Sequence, residues 1–180
     1  IALHRREDTI IVNANTKIKS HDIIYFISNP DSIDHIIEIC GQECFEIRNI
    51  MILGGSSIGY QTAKILEHEY NVTLVEKNRE RCEELASELK ETLIINVDGR
   101  NVGALEEEGL ADMDAFIAVT ADSESNIMSS LVATNHNVKK TIARVENIDY
   151  IHLSQNIGID TLINKKIIAA SNIFKYVRKG

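Results

Sequence analysis

Asn49-Ile-Met-Ile-Leu-Gly-Gly-Ser-Ser-Ile-Gly-Tyr60 is the stretch that decides the fold. Ile50 to Leu53 are apolar without alternation, which a parallel strand covered by helices on both faces requires. The strand runs into Gly54, Gly55 and Gly59, and a helical pattern follows at once. Such a strand–turn–helix reads as a phosphate-binding loop. Gly54 takes the tight turn, Gly59 lets the helix pack close to the sheet, and the free N–H groups of the first helical turn face an anion with the positive end of the helix dipole.

A second apolar strand, Asn71-Val-Thr-Leu-Val-Glu76, ends in an acid. That acid lies about 20 residues past the loop, where a dinucleotide fold places the carboxylate that accepts hydrogen bonds from a ribose diol. A glycine turn alone would only join a strand to a helix; Glu76 in this context points to a nucleotide. The G-x-G-x-x-G fingerprint is incomplete, because Ser56 replaces the middle glycine. Its β-carbon either crowds the phosphate approach or brings a hydroxyl as an extra donor.

The pattern continues as an alternation. Strands are expected at 50–54, 72–76, 93–96, 115–119 and 140–145, with helices at 58–69, 78–89, 102–108 and 123–136, then a short strand at 161–163 and a helix at 165–178. Asn78 and Ser123 are expected N-caps. Strands alternating with helices specify parallel pairing through crossovers, hence an α/β, Rossmann-like doubly wound parallel sheet. Residues 1–48 differ. Ile10-Ile-Val12 and Ile23-Ile-Tyr-Phe-Ile27 flank a polar, turn-rich stretch, and a helix over 30–40 begins at Pro30. This reads as a small, partial, antiparallel β-rich (α+β) segment, with 42–48 as linker and 49–180 as the main domain. The chain starts at Ile1 in mid-pattern, as a segment of a longer protein would.

Composition narrows the function. The 27 acidic against 19 basic residues give a formal charge of −8, which opposes a nucleic-acid partner, and no basic cluster offsets it. No apolar run approaches the roughly 20 residues that span a bilayer, so a membrane role is peripheral and without insertion. Cys40, Cys44 and Cys82 form no CxxC pair, and the histidines at 4, 21, 35, 68, 136 and 152 are scattered singly, so no metal site is expected. The thiols suit a reducing cytoplasm.

With these residues in place, the chain resembles the TrkA family of potassium-uptake regulators, whose nucleotide-binding modules are called RCK or KTN domains. Beyond the glycine loop, the matching motifs are Asn96-Val-Asp98-Gly99 after the third strand, Ala115-Phe-Ile-Ala-Val-Thr120, Asp122-Ser-Glu124-Ser-Asn126, Thr141-Ile-Ala-Arg144-Val145 and Gly158-Ile-Asp160. The match covers 49–180 as the nucleotide (TrkA-N) domain. Arg6 to Tyr25 resemble the end of the family's C-terminal accessory (TrkA-C) domain, which places the segment in the middle of a two-half protein. The chain departs from the family pattern at Ser56, at Ser57, where many members carry an arginine, and at Asn164, where proline is common.

The resemblance implies a site. Gly54, Gly55, Ser56, Ser57, Ile58 and Gly59 would face a pyrophosphate, Glu76 the ribose with Lys77 beside it, and Asp98 with Gly99 the adenine edge. Thr120 and Ala121 would border the crevice, and Arg144 would meet a distal phosphate, against the plainer reading of Arg144 as a surface ion pair. Lys77, Arg79 and Arg81 suggest a 2′-phosphate, which the Glu76 carboxylate would repel, so NAD(H) or ADP/ATP is expected ahead of NADP. The family also implies a cytoplasmic regulatory subunit, peripheral at the inner face of the membrane, that gates a TrkH/TrkG-like potassium translocation subunit.

The competing reading is the cofactor domain of an NAD-dependent oxidoreductase whose substrate domain lies outside the sequence. Tyr60 and Lys64 have the YxxxK spacing of short-chain dehydrogenases, but they lie in the helix leaving the loop, where a phenol does not reach a nicotinamide. No catalytic residue is assigned, and binding without turnover is expected. Last, apolar residues at 167, 170, 173, 174 and 177 form a helical stripe. The pattern alone serves equally to cover the domain's own sheet or to pair copies; the resemblance favours a homo-oligomer, a dimer or larger ring.

Overall fold

A computed structural model describes residues 1–5, 8–20, 22–41, 45–147, 150 and 158–178. The expectations for Arg6, His21, Cys44, His152 and residues 42–44 of the linker fall outside them. The chain divides into two units, Ile1–Phe45 and Glu46–Gly180.

The first unit is a three-stranded antiparallel sheet in the order β2-β1-β3, built from β1 (Ala2–Arg5), β2 (Asp8–Ile11) and β3 (Ile23–Tyr25). A 3-10 turn at Pro30–Ser32 leads into α1 (Ile33–Ile39). The sequence pointed to the two outer strands and missed the central one, because Ala2-Leu-His-Arg5 carries a single large apolar residue, Leu3, which is buried. Arg5 donates to both Asp22 oxygens, at 2.8 and 2.6 Å, and the Lys19 amide adds a 2.7 Å bond. These bonds hold the Asp22 carboxyl down at about 2 and close the long β2–β3 loop.

The second unit is a six-stranded parallel sheet in the order β6-β5-β4-β7-β8-β9. Its strands are β4 (Asn49–Leu53), β5 (Asn71–Glu76), β6 (Leu93–Asn96), β7 (Ala115–Ala118), β8 (Lys140–Arg144) and β9 (Thr161–Ile163). The helices are α2 (Ser57–Leu66), α3 (Arg79–Glu88), α4 (Val102–Glu107), α5 (Ser123–Asn135) and α6 (Lys165–Arg178). Both faces of the central strands are covered. Ile50, Ile52, Leu74, Ile117 and Val119 pack with Ala63 of α2 and Leu85 of α3, whereas Met51, Leu53, Val75, Phe116 and Ala118 pack with Leu105 of α4 and Ala133 of α5. This two-sided cover is why β4 and β7 read as unbroken apolar runs.

The chain builds β4-β5-β6 outward and then returns to set β7 on the other side of β4, so the order reverses there, and crevices form at the carboxyl ends of strands on either side of such a reversal. Asp114 fixes the join: its carboxylate accepts the Arg48 and Asn49 amides at 2.9 and 3.0 Å and Lys139 Nζ at 3.2 Å. One local expectation is corrected. The N-cap of α5 is Asp122, which accepts the Ser125 amide at 3.0 Å, because Asp122 has the extended backbone and Ser123 is already inside the helix and buried. Of the two uses left open for the α6 stripe by its pattern, covering the sheet is not the one seen, since no residue of α6 is buried.

Candidate functional site

At the reversal the carboxyl ends of β4, β5, β6 and β7 enclose a cleft of about 570 Å³. Of the expected residues it is lined by Gly54, Gly55, Ser56, Glu76, Lys77, Asp98, Gly99, Thr120 and Ala121. Three positions in its walls leave little room for a side chain. Gly54 has φ +109° and its missing β-carbon would stand 3.0 Å from the Thr120 nitrogen. A β-carbon on Gly55 would fall 2.5 Å from Leu85 Cδ1, and one on Gly99 2.1 Å from Leu53 Cδ1. The backbone therefore forms the surface of the cleft at the glycines that follow β4 and β6.

Glu76 organises the turn. One carboxylate oxygen accepts the Gly55 amide at 2.7 Å and the other the Asn78 amide at 2.8 Å. Each oxygen keeps a further lone pair for an incoming hydroxyl. Arg81, one turn into α3, donates from Nε to the Gly55 carbonyl at 2.8 Å and from its terminal nitrogen to Glu84 at 2.7 Å, so the glycine turn is gripped on both its amide and carbonyl sides. Ser56 is the N-cap of α2, but its side chain makes no capping bond. The hydroxyl donates to the Val119 carbonyl at 3.3 Å instead, which leaves the first-turn amides of a ten-residue helix without a side-chain acceptor.

On the far wall, Asp98 binds Arg100 through both oxygens, the closest contact being 2.6 Å, and this guanidinium holds the Asp98 carboxyl at about 2. Gly99 is tied to α5 by the Ser129 hydroxyl at 3.3 Å. Asn126, fully buried, clasps Thr120: its Oδ1 accepts the Thr120 amide at 3.0 Å and hydroxyl at 2.7 Å, and its Nδ2 donates to the carbonyls of Thr120 and Arg144 at 3.1 and 2.9 Å. Lys77, Arg81 and Arg100 face Glu76, Asp98 and Asp122, so the lining is charge-balanced although the chain carries −8.

Four expected residues do not line the cleft. Ser57 and Ile58 open α2 with exposed side chains, and Gly59 is buried beneath the turn, where a β-carbon would fall 1.9 Å from the Gly54 carbonyl oxygen. Arg144 is neither in the cleft nor a surface ion pair. Its side chain is buried, with one terminal nitrogen donating to the Thr120 carbonyl at 3.2 Å and the other bound to Glu146. Asn78, Arg81, Arg100, Asp122 and Ser125 line the cleft without having been expected there. Asn78 and Arg81 carried a signal, since they stand in the first turn of the helix that leaves Glu76. Arg100 and Ser125 carried none. Tyr60 and Lys64 bond to each other at 3.2 Å, away from the cleft lining. Among the described residues no cluster of His, Cys, Asp or Glu is disposed to hold a metal ion, and no helix is long and apolar enough to cross a membrane.

The TrkA-N domain family model matches residues 50–165. The Trk system potassium uptake protein TrkA of Halomonas elongata is 34% identical over 179 residues, 99% of this chain, and TrkA homolog 2 of Methanosarcina mazei is 33% identical over 176 residues, 97% of this chain. The chain spans 39% of the length of each. Among solved structures, the TrkA-N domain of the inner membrane protein ybaL from Escherichia coli is similar over 74% of this chain and 98% of its own, with a TM-score of 0.65 at 13% identity. The GsuK channel bound to NAD is similar over 67% of this chain and 22% of its own, with a TM-score of 0.56 at 16% identity. At these identities the structural likeness concerns the fold.

Proposed function

The chain belongs to the TrkA-N domain family, and on that premise we propose that it is a nucleotide-sensing regulatory module of a potassium uptake system, taking NAD(H) or ADP/ATP in the cleft at the β4/β7 reversal. The observation that carries this is the Glu76 carboxylate, held by the amides of Gly55 and Asn78 at the edge of a side-chain-free turn. The residues present fit the group. Gly54, Gly55 and the uncapped first turn of α2 offer amides to a pyrophosphate. Glu76 accepts from a ribose diol, Asp98 and Gly99 border the base, and Thr120 and Ala121 close the side. With the cleft lysine and arginines offset by carboxylates, backbone amides carry most of the phosphate recognition, and Glu76 disfavours a 2′-phosphate.

No residue is given a catalytic role, and Tyr60 and Lys64 stand apart from the lining. Binding energy is therefore used to shift the population of arrangements, not to drive turnover. In this reading the nucleotide biases how neighbouring copies pack, and the movement is passed to a TrkH/TrkG-like membrane subunit at the inner face of the membrane, the module itself remaining cytoplasmic. The exposed apolar side chains of α6, with Ile167 at 44% and Phe174 at 60% of full exposure, suit pairing of copies into a dimer or larger ring. Residues 1–48 are read as the tail of a preceding TrkA-C-like domain with its linker, and 49–180 as the TrkA-N domain.

Thermal melting of the chain with NADH, NAD, ADP, ATP and NADPH tests the proposal, because a ligand bound only by the folded state raises the midpoint. An upward shift with at least one adenine nucleotide, reduced in Glu76→Ala, supports it. Equal midpoints for all five ligands and buffer reject it. Steady NADH oxidation with carbonyl or quinone substrates, absent in a Gly59→Asp variant, would favour the oxidoreductase reading.

A further inference from the structure

The wall residue Thr120 belongs to a hydrogen-bonded chain that continues past the cleft. Its carbonyl accepts from Arg144 at 3.2 Å, Arg144 binds Glu146, and the same Glu146 oxygen takes Lys165 Nζ at 3.0 Å. Lys165 is the first residue of α6. The backbone of the same turn is shared: the Glu146 amide donates to Ser123 Oγ at 3.0 Å, and Asn164 Nδ2 donates to the Val145 and Glu146 carbonyls at 3.1 and 3.0 Å. Asn164 Oδ1 in turn accepts the amides of Lys166 and Ile167 at 3.0 and 3.2 Å, and Asn164 thus caps the helix.

Two features make this chain of contacts more than a local staple. No residue of α6 is buried, so the bonds at its root, at Asn164 and Lys165, bear on its direction. Arg144 Nε is buried and makes no hydrogen bond among the described residues, so the guanidinium is held through its two terminal nitrogens.

We propose that Arg144 and Glu146 are positioning residues that join the Thr120 wall of the cleft to the root of α6, so that occupancy of the cleft and the order of the α6 root are linked. The occupancy half rests on the reading of the cleft as a nucleotide site. By linkage the effect is reciprocal: a ligand that draws Thr120 toward itself alters the hold on Arg144, hence on Glu146 and Lys165, and a change at the α6 root alters the wall.

The test is residue-level amide hydrogen exchange on the 180-residue chain as wild type, Arg144→Met, Glu146→Gln and the double variant. Without nucleotide, each single change should speed exchange at both the Thr120 and Ile167 amides by about threefold or more, and the double should add little beyond the larger single. If Glu146→Gln leaves Thr120 unchanged, or if all amides including those of β4 accelerate alike, the link does not exist. Should Arg144→Met fail to fold, Lys165→Met probes from the helix end and must still reach Thr120. With ADP or NADH added, exchange at Ile167 should slow in wild type and stay unchanged in Glu146→Gln, which still binds. Failure of every nucleotide to bind wild type overturns the nucleotide reading and the occupancy half together, while the ligand-free comparison still decides whether the link exists.

Discussion

A β-carbon on Gly59 would lie 1.9 Å from the carbonyl oxygen of Gly54, a contact with backbone that no side-chain rotation relieves. Gly59→Ala should therefore destabilise the domain by about 3 kcal/mol or more. Gly103, in α4, is the matched control: its nearest neighbour is Asn101 Oδ1 at 3.6 Å, so Gly103→Ala should be neutral or stabilising by up to about 1 kcal/mol. Urea unfolding of the two variants beside wild type decides. Equal midpoints would mean that the turn can open without cost.

Glu76→Ala should weaken the binding of the best adenine nucleotide by about 1–3 kcal/mol, the range for loss of a hydrogen-bonded charge. Isothermal titration at matched salt measures it. Restoring glycine at Ser56 separates the two readings of that position: tighter binding shows that the β-carbon crowded the phosphate, and weaker binding shows that the hydroxyl on the Val119 carbonyl was positioning the turn.

Asn126→Ala leaves the half-buried Thr120 amide and the Arg144 carbonyl without their side-chain partner. A loss of about 2 kcal/mol or more in unfolding free energy is expected. A variant as stable as wild type would show that water replaces the amide at the end of β7.

Acid should loosen the β4–β7 join. Asp114 is held at about 2 by the Asn49 and Arg48 amides and by Lys139, against about 3.9 for a free aspartate. A depressed carboxyl contributes stability above its unfolded value, and that contribution fades as pH falls from about 4 toward 2. The urea midpoint should drop over this interval, and Asp114→Asn should be less stable at neutral pH with a flatter acid limb. The same acid limb in both proteins would assign it to Asp98 or Asp22, which are held equally low.

Phe174, 60% exposed on α6 with Arg178 over its ring at 6.0 Å, should sit near the contact between copies. Sedimentation at tens of micromolar should show self-association that Phe174→Asp abolishes. A monomer in both cases removes α6 as the pairing element of this segment.

The parallel sheet was legible because its physics is local to the sequence. Ile50–Leu53 and Ala115–Ala118 have no polar side to show, and the glycines and Glu76 fall at fixed distances from the strands that carry them. β1 was not legible, because a central strand of a small open sheet needs only one buried side chain, Leu3, and four residues with one large apolar member form no pattern. The cap of α5 was misplaced by one residue because Asp122 and Ser123 are both good cap residues, and only the backbone angles choose. Within the cleft, the side chains reached along the chain were readable, whereas Arg100 turns back onto Asp98. The fate of Arg144 depended on Glu146, two residues on, and on Lys165, which β9 and α6 bring to Glu146 from later in the chain.

The placement of β4 between β5 and β7 also sets an order of events during synthesis. β4 and β5 can pair as soon as residue 76 has emerged, and β6 follows on their outer side. The other edge of β4, four consecutive apolar residues, then stays open until Ala115–Ala118 has been made. An open apolar edge is a template for strand addition by another chain. Nascent chains halted between β6 and β7 should therefore be the stickiest species of this domain, bound by holdase chaperones and released once β7 closes the seam.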